Sequence, residues 1–133
     1  FTDRTTGLPV HSLYGDVRKP TPEMLADIDT LVVDLQDVGA RYYTFIWTLF
    51  LCMEACCEEG KRLVVLDRPN PLGGVAVEGF VLDPDFASFV GLAPIPMRHG
   101  MTAGELALFF RQWRGWDLDL DVVWMQGWRR GLA

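Results

Sequence analysis

The sequence predicts an α/β fold of three layers with a mostly parallel sheet. Two observations lead to this class. Residues 63–66 form an uninterrupted apolar run, and four of the five residues Leu31–Leu35 are apolar; such runs are typical of strands covered on both faces. A helical segment separates these runs, and a strand–helix–strand unit of this kind forms a parallel pair with a right-handed crossover.

The N-terminal part of the chain leads up to the first strand. Residues 1–20 predict a loop with one short extended piece at Val10–Tyr14. A short helix is expected within residues 19–29, because Thr21 is a suitable N-cap and Pro22 occupies the first helical position, where a missing N–H costs nothing. The first strand follows.

A long helix is predicted after the first strand. Ile46, Leu49 and Met53 recur at helical spacing, and Gly60 is a good C-cap. The second strand is expected within residues 62–71, because an apolar run begins at Leu63, shortly after this glycine.

The C-terminal half contains less regular segments. Residues 75–83 are expected to form an extended excursion or a hairpin, and residues 83–91 a turn with a short helix. Residues 93–97 predict an irregular strand, since two prolines exclude a central position in a sheet. Thr102–Arg114 is predicted to be a helix, and residues 120–125 a third strand.

Composition excludes several classes of protein. Half of the 133 residues are apolar and the net charge is −6, which indicates a globular chain without the basic surface of a nucleic-acid-binding protein. No apolar stretch reaches membrane-spanning length. The chain opens with neither a methionine nor a signal peptide and is expected to be truncated at both ends. The missing signal therefore says nothing about localisation.

Metal and nucleotide sites find little support in the sequence. Cys52, Cys56 and Cys57 have a CxxxCC spacing that fits no common zinc site, and histidine occurs only at His11 and His99. We interpret the cysteines as small buried thiols on one helix face. Neither a P-loop nor a GxGxxG motif after a strand is present, so we expect no metal and no cofactor.

Polar side chains follow both strong strands. They are Asp34, Gln36, Asp37 and Arg41 after the first strand, and Asp67, Arg68 and Asn70 after the second. Ligands of open parallel sheets bind beyond the carboxyl ends of the strands, so these residues predict the rim of a cleft. Two alternatives remain: ordinary strand-end turns and salt bridges, or a Mg²⁺ site built on Asp34 and Asp37.

The start of the last helix carries a second group of polar residues. Thr102 and Glu105 have the spacing of a capping box, which favours a structural role for Glu105 over a catalytic one. Arg98 and His99 immediately precede the positive end of this helix, which attracts anions. They are candidate donors for a sugar or a carboxylate. The alternative is a histidine packed within the loop.

Five motifs in order along the chain carry a family resemblance. The stretches TGLPVHSLYGDVRKPTPEML, DLQDVGARYYTF, VLDRPNPLGG, VEGFVLD and PIPMRHGMTAGELA together resemble the bacterial exo-β-N-acetylmuramidases of the NamZ type. The resemblance implies a peptidoglycan glycosidase that releases terminal N-acetylmuramic acid from the non-reducing end of cell-wall fragments. It also implies that residues 1–133 are part of one Rossmann-like catalytic domain in an exported protein, periplasmic or extracellular, which acts on muramyl sugars.

The resemblance also implies site residues. In the family, a leading catalytic glutamate lies in a Gly-Pro-Glu-His-Gly motif upstream of the part seen here. We therefore expect the second catalytic carboxyl to be Glu78, with Asp37 and Glu105 as alternatives, and the fragment alone to be inactive. Arg41 is expected to bind the lactyl carboxylate of muramic acid, and Tyr42 or Tyr43 to offer a ring face to the sugar. Substrate binding is expected from Asp34, Gln36, Asp37, Arg41, Asp67, Arg68, Asn70, Arg98 and His99.

Two functions from other classes remain open. One is a non-catalytic module that binds sugars or carboxylates in the same cleft. The other is a Mg²⁺-dependent phosphohydrolase that uses Asp34 and Asp37.

Overall fold

A computed structural model describes residues 1–132; Ala133, the last residue of the predicted domain, lies outside them. Three parallel strands form one sheet in the order β1-β2-β3: Thr30–Val33 (β1), Arg62–Leu66 (β2) and Leu120–Val123 (β3). The helices are Pro22–Leu25 (α1), Phe45–Glu59 (α2) and Ala103–Arg114 (α3), and Pro84–Phe86 forms a single 3-10 turn. The predicted α/β class with a parallel sheet is confirmed.

Helices α2 and α3 lie together on one face of the sheet. Val33 of β1 pairs with Val65 of β2, which pairs in turn with Val122 of β3, so the three side chains point to the same face. This face meets the two helices, whose Phe50 and Phe110 rings contact edge to face with centroids 5.2 Å apart. Residues 1–132 thus form the sheet and one helical layer of the predicted arrangement.

The opposite face of the sheet is more open in the described residues. Val32 of β1 is 55% exposed and Val123 of β3 is 52% exposed. Successive side chains of a strand point to opposite faces of the sheet, and helices α2 and α3 cover only one of these faces in the described residues. Buried and exposed positions therefore alternate along these strands.

The core lies between the sheet and the two long helices. Its most completely buried large side chains are Trp47, Met53, Leu63, Leu106 and Phe110. Among residues 1–132, no helix combines the length and apolarity needed to cross a bilayer.

The cysteines confirm one sequence interpretation. Cys52 and Cys56 are buried free thiols of α2, and Cys57 is partly exposed. Burial raises the pKa of Cys52 from 9.0 to about 12 and that of Cys56 to about 11. Both thiols therefore remain protonated at neutral pH.

The C-terminal ends of α2 and α3, and the starts of α1 and α3, follow from local sequence. Gly60 and Gly115 end the two helices with φ values of 65° and 64°, which a residue without a Cβ adopts at little cost. Thr102 and Glu105 form the predicted capping box at the start of α3. Thr21 caps α1 as predicted, by accepting a hydrogen bond from the Met24 N–H.

Three predicted extended segments do not form strands. Val10 makes two backbone hydrogen bonds with Phe1, but the chain then bends at residues 13–16, and the Ser12 hydroxyl accepts from the Tyr14 N–H. Residues 93–97 are irregular because Pro94 and Pro96 supply no N–H for a ladder. Residues 75–83 form no hairpin; Glu78 makes a backbone bridge with Arg98, and the Leu82 N–H donates to the Ile95 carbonyl.

Candidate functional site

An open cleft of about 360 Å³ lies among the segment after β1, the segment after β2 and the loop before α3. Its lining consists of Ala40, Tyr42, Leu72, Glu78, Gly79, Met97 and Arg98. The volume is within the range of about 300–1,000 Å³ that is usual for small-ligand sites. The cleft lies at the edge of the sheet where the sequence predicted one, and Tyr42, Glu78 and Arg98 of the predicted site residues line it.

Glu78 and Arg98 form the charged wall of the cleft. Their backbones make two hydrogen bonds, of 3.1 Å from the Glu78 N–H and 2.9 Å from the Arg98 N–H. Arg98 also donates from Nη1 to Glu78 Oε2 at 3.2 Å, and from Nη2 to the Leu72 carbonyl. The Glu78 side chain is 67% exposed and that of Arg98 31% exposed, so a ligand can reach both.

The rest of the lining is largely apolar. The Tyr42 side chain is well exposed, and Leu72 and Met97 are each exposed by more than a third. An exposed aromatic ring beside a guanidinium and a carboxylate offers a stacking surface together with charged hydrogen-bonding groups. This combination suits a sugar that carries an acidic substituent.

Asp37 and His99 lie buried behind this wall. His99 Nε2 is 3.0 Å from Asp37 Oδ2, which also accepts from the Gly39 N–H at 3.0 Å. The Met101 N–H donates to His99 Nδ1 at 3.1 Å, so the proton of the neutral ring lies on Nε2. The His99 side chain is 0% exposed, and neither partner is open to a ligand in this structure.

Two other predicted residues connect the site's segments. Asp67 Oδ1 accepts from the Gly104 N–H at 2.8 Å and so satisfies the first turn of α3. Asn70 donates to the Met101 carbonyl and accepts from the Leu72 N–H, each at 2.9 Å. Both side chains are buried, and they fix the loop after β2 against the loop before α3.

Three further predicted residues lie outside the cleft lining. Gln36 donates to the carbonyls of Asp37 and Pro69 and so joins the ends of β1 and β2. Arg68 binds Asp34 through two bonds of 2.7 and 2.8 Å on the surface. The bond from Arg68 lowers the pKa of the Asp34 carboxyl below its usual value.

Arg41 is directed to backbone carbonyls. Its Nη1 donates to Phe80 O at 2.9 Å and to Ile95 O at 2.8 Å, while its own carbonyl accepts from the Trp47 indole at 2.7 Å. Arg41 is also absent from the residues that line the cleft. The structure therefore places it as a clamp between two loops, not at the position expected for a carboxylate-binding residue.

Glu105 has both carboxylate oxygens occupied. Oε2 accepts from the Thr102 N–H at 3.1 Å, and Oε1 binds Arg130. Arg130 also donates to the carbonyls of Gly74 and Gly100 at 3.1 and 3.0 Å. This contact between Arg130 and the segments around the cleft was not predicted from the sequence. The segment GWRRG contains no local signal that distinguishes Arg130 from Arg129.

The two aspartates of the proposed Mg²⁺ site have separate partners. Asp34 pairs with Arg68 and Asp37 with His99. Within residues 1–132, no group of three or more His, Cys, Asp or Glu side chains is arranged to hold a metal ion. The geometry therefore gives no support to a phosphohydrolase built on these two carboxylates.

Comparison with known proteins identifies the family of this chain. The chain matches the family described as "Exo-beta-N-acetylmuramidase NamZ, N-terminal" over residues 1–133. It is 55% identical over 132 residues to the "Peptidoglycan beta-N-acetylmuramidase NamZ" of Bacillus subtilis (strain 168), a match that covers 99% of this chain and 32% of that protein. The chain thus spans about a third of the length of this curated relative.

Two crystal structures of DUF1343 family proteins from Bacteroides fragilis NCTC 9343 share the fold. The first has a TM-score of 0.94 at 50% identity, covering 98% of this chain and 35% of that chain. The second has a TM-score of 0.88 at 38% identity, covering 98% of this chain and 36% of that chain. The family match extends over the whole sequence, and the chain belongs to the exo-β-N-acetylmuramidase NamZ family.

Proposed function

We propose that this chain forms part of the Rossmann-like catalytic domain of an exo-acting peptidoglycan glycosidase, which releases terminal N-acetylmuramic acid from the non-reducing end of cell-wall fragments. Membership of the family and the 55% identity to a peptidoglycan β-N-acetylmuramidase support this reaction. The structural observation that carries the proposal is the meeting of Tyr42, Glu78 and Arg98 in one open cleft.

Glu78 is the proposed catalytic carboxylate of this chain. Glycoside hydrolysis usually employs two carboxyl groups on either side of the scissile bond. Among the described residues, Glu78 is the carboxylate that lines the cleft, and its side chain is open to a ligand. The alternatives Asp37 and Glu105 are engaged with His99 and with the capping box.

Tyr42 is proposed to support the sugar ring. Its exposed ring faces the cleft from the segment that follows β1, while Leu72 and Met97 add apolar surface. An aromatic face binds the apolar side of a sugar, and the charged groups opposite provide hydrogen bonds that set its orientation.

Export to the periplasm or the cell exterior is proposed on the basis of the substrate, since peptidoglycan fragments arise at the cell wall. Fractionation of the source cells with an antibody against the chain tests this location. Detection of the protein in the periplasmic or extracellular fraction is expected; confinement to the cytoplasmic fraction would contradict it.

The activity is tested on the full-length natural protein with a chromogenic β-N-acetylmuramide. We expect release of the chromophore, and we expect Glu78→Gln to lower kcat by about 10²–10⁴-fold. Glu54→Gln is the matched control, because Glu54 pairs with Lys19 and Arg114 on the outer surface of α2 and α3. Binding of the glycoside without turnover would favour a sugar-binding module. Full activity of the Glu78→Gln variant would show that Glu78 is not a catalytic residue.

A further inference from the structure

We propose that Arg98 binds the lactyl carboxylate of the substrate and that Glu78 occupies this position while the cleft is empty. On this proposal, an acidic sugar displaces Glu78 from Arg98, and the displaced carboxylate becomes available to the glycosidic bond. The inference rests on the proposed function, since N-acetylmuramic acid differs from N-acetylglucosamine by the lactyl group that carries the carboxylate.

Arg98 is the cationic side chain in the lining of the cleft within residues 1–132. The other arginines near this edge of the sheet have different partners. Arg41 donates to the carbonyls of Phe80 and Ile95, and Arg130 binds Glu105. Arg98 is therefore the guanidinium that a ligand in this cleft meets.

The guanidinium of Arg98 is held in place before a ligand arrives. Its Nη2 donates to the Leu72 carbonyl, and the backbone of Arg98 is bridged to that of Glu78. Nε is buried without a partner among the described residues, so the donors of the group are only partly used. A donor that is already oriented loses little freedom when it binds, and this favours affinity.

The ion pair of Arg98 and Glu78 has fewer and longer hydrogen bonds than the ion pair of Arg68 and Asp34. Arg68 binds Asp34 through two bonds of 2.7 and 2.8 Å. Arg98 makes one bond of 3.2 Å to Glu78, longer than the usual 2.7–2.9 Å of such pairs. Because Glu78 is also mostly exposed, water readily replaces this contact, and a ligand carboxylate displaces it at small cost.

A ligand carboxylate matches the site that Glu78 vacates. Guanidinium groups bind carboxylates preferentially, often through two parallel bonds. With the sugar on the apolar lining, its lactyl group reaches Nη1 of Arg98 in place of Glu78 Oε2. The acidic group then has two effects: it adds binding energy, and it releases the carboxylate that the reaction uses.

Kinetics on two substrates test the assignment in the full-length natural protein. One is the chromogenic β-N-acetylmuramide, and the other is the same glycoside with the lactyl carboxylate converted to a carboxamide. The wild type is expected to prefer the acid by about 10–100-fold in kcat/KM, the range for a hydrogen bond to a charged group. The preference should appear in kcat as well as in KM, because the carboxamide leaves Glu78 paired with Arg98.

Substitutions of Arg98 test whether this residue causes the preference for the acidic substrate. Arg98→Met should bring the ratio of the two kcat/KM values close to one, whereas Arg98→Lys should retain part of the preference. This ratio does not depend on how much of a variant is folded. Arg62→Met is the control, because Arg62 pairs with Asp121 at the start of β2, at the opposite end of the sheet. It should keep the wild-type ratio.

The remaining outcomes distinguish a failure of the Arg98 assignment from a failure of the proposed function. A wild-type preference that survives in Arg98→Met would overturn the role of Arg98, and its loss in Arg41→Met instead would return the role to Arg41. If neither glycoside is hydrolysed, the proposed function fails, and titration with free N-acetylmuramic acid and its carboxamide still tests the binding role. Equal affinity of the wild type for both compounds would then overturn the inference.

Discussion

His99 donates from Nε2 to Oδ2 of Asp37 across 3.0 Å, and this bond joins two buried side chains that are 62 positions apart in the sequence. The bond holds the loop before α3 against the end of β1. Arg98 directly precedes His99, so the buried pair also fixes where the charged wall of the cleft stands. Asp37 and His99 are thus positioning residues for a site that they do not line.

Replacing Asp37 with alanine should destabilise the fold. The change leaves the buried donors of His99 and Gly39 without their acceptor. A buried unsatisfied polar group costs about 1–3 kcal/mol, and the loss can be measured by urea unfolding. Asp34→Ala is the control, since it removes only the exposed pair with Arg68 and should have a much smaller effect that added salt reduces. Equal losses in both variants would contradict the buried role of Asp37.

A glycine is required at position 39 for two reasons. Gly39 has a φ of +86°, and a Cβ there would lie 2.3 Å from Asn70 Oδ1. Gly60 has a φ of +65° with open space around it, so Gly60→Ala should cost about 1–2 kcal/mol from backbone strain alone. Gly39→Ala should cost clearly more in the same thermal or urea unfolding experiment. A cost no greater than that of Gly60→Ala would show that Asn70 moves aside freely.

The start of α3 should depend on its cap. Thr102→Ala removes the acceptor for the Glu105 N–H and is expected to lower the free energy of unfolding by about 0.5–2 kcal/mol. Glu105→Gln should have a milder effect, because glutamine also completes a capping box although it weakens the contact with Arg130. Urea unfolding measures both. If Glu105→Gln instead abolishes turnover with unchanged stability, Glu105 is the second carboxyl and the preference for Glu78 is wrong.

Because two thiols are buried, we expect the free energy of unfolding to fall at alkaline pH. Burial raises the pKa of Cys52 from 9.0 to about 12, so the folded state keeps this proton where the unfolded chain has released it. The contribution of the Cys52 thiol to the free energy of unfolding is therefore fully present below about pH 9, and it decreases as the pH rises from about 9 towards 12. Urea unfolding at several pH values should give a shallower decline for Cys52→Ala than for the wild type. Cys57→Ala, which keeps both buried thiols, should follow the wild type; identical slopes in all three proteins would contradict the prediction.

Local patterns predicted the regular elements well. The apolar runs of β1 and β2, the glycine after α2 and the capping box of α3 each depend on residues within a few positions of one another. Their geometry follows from backbone sterics and from the hydrogen bonds that a helix end lacks. A cleft was also expected at this edge, because strand ends of a parallel sheet share one edge, and the structure has an open cleft among the segments that follow β1 and β2.

The roles of individual side chains at the site were harder to predict. Arg41 was expected to bind a carboxylate, but its acceptors are the carbonyls of Phe80 and Ile95, which a loop brings back from far along the chain. His99 was expected in the cleft, whereas its pairing with Asp37 places it beneath the surface. Such partners depend on how irregular loops pack, and no sequence periodicity encodes that packing.

A crystal structure of the full-length natural protein with N-acetylmuramic acid bound tests the central claim most directly. The account predicts the sugar in the cleft beside Tyr42, with its lactyl carboxylate within hydrogen-bonding distance of the Arg98 guanidinium and with Glu78 turned away from Arg98. A sugar bound elsewhere, such as at the surface pair of Asp34 and Arg68, would contradict the placement of the site. A sugar in the cleft whose carboxylate lies far from Arg98 would contradict the assignment of that residue.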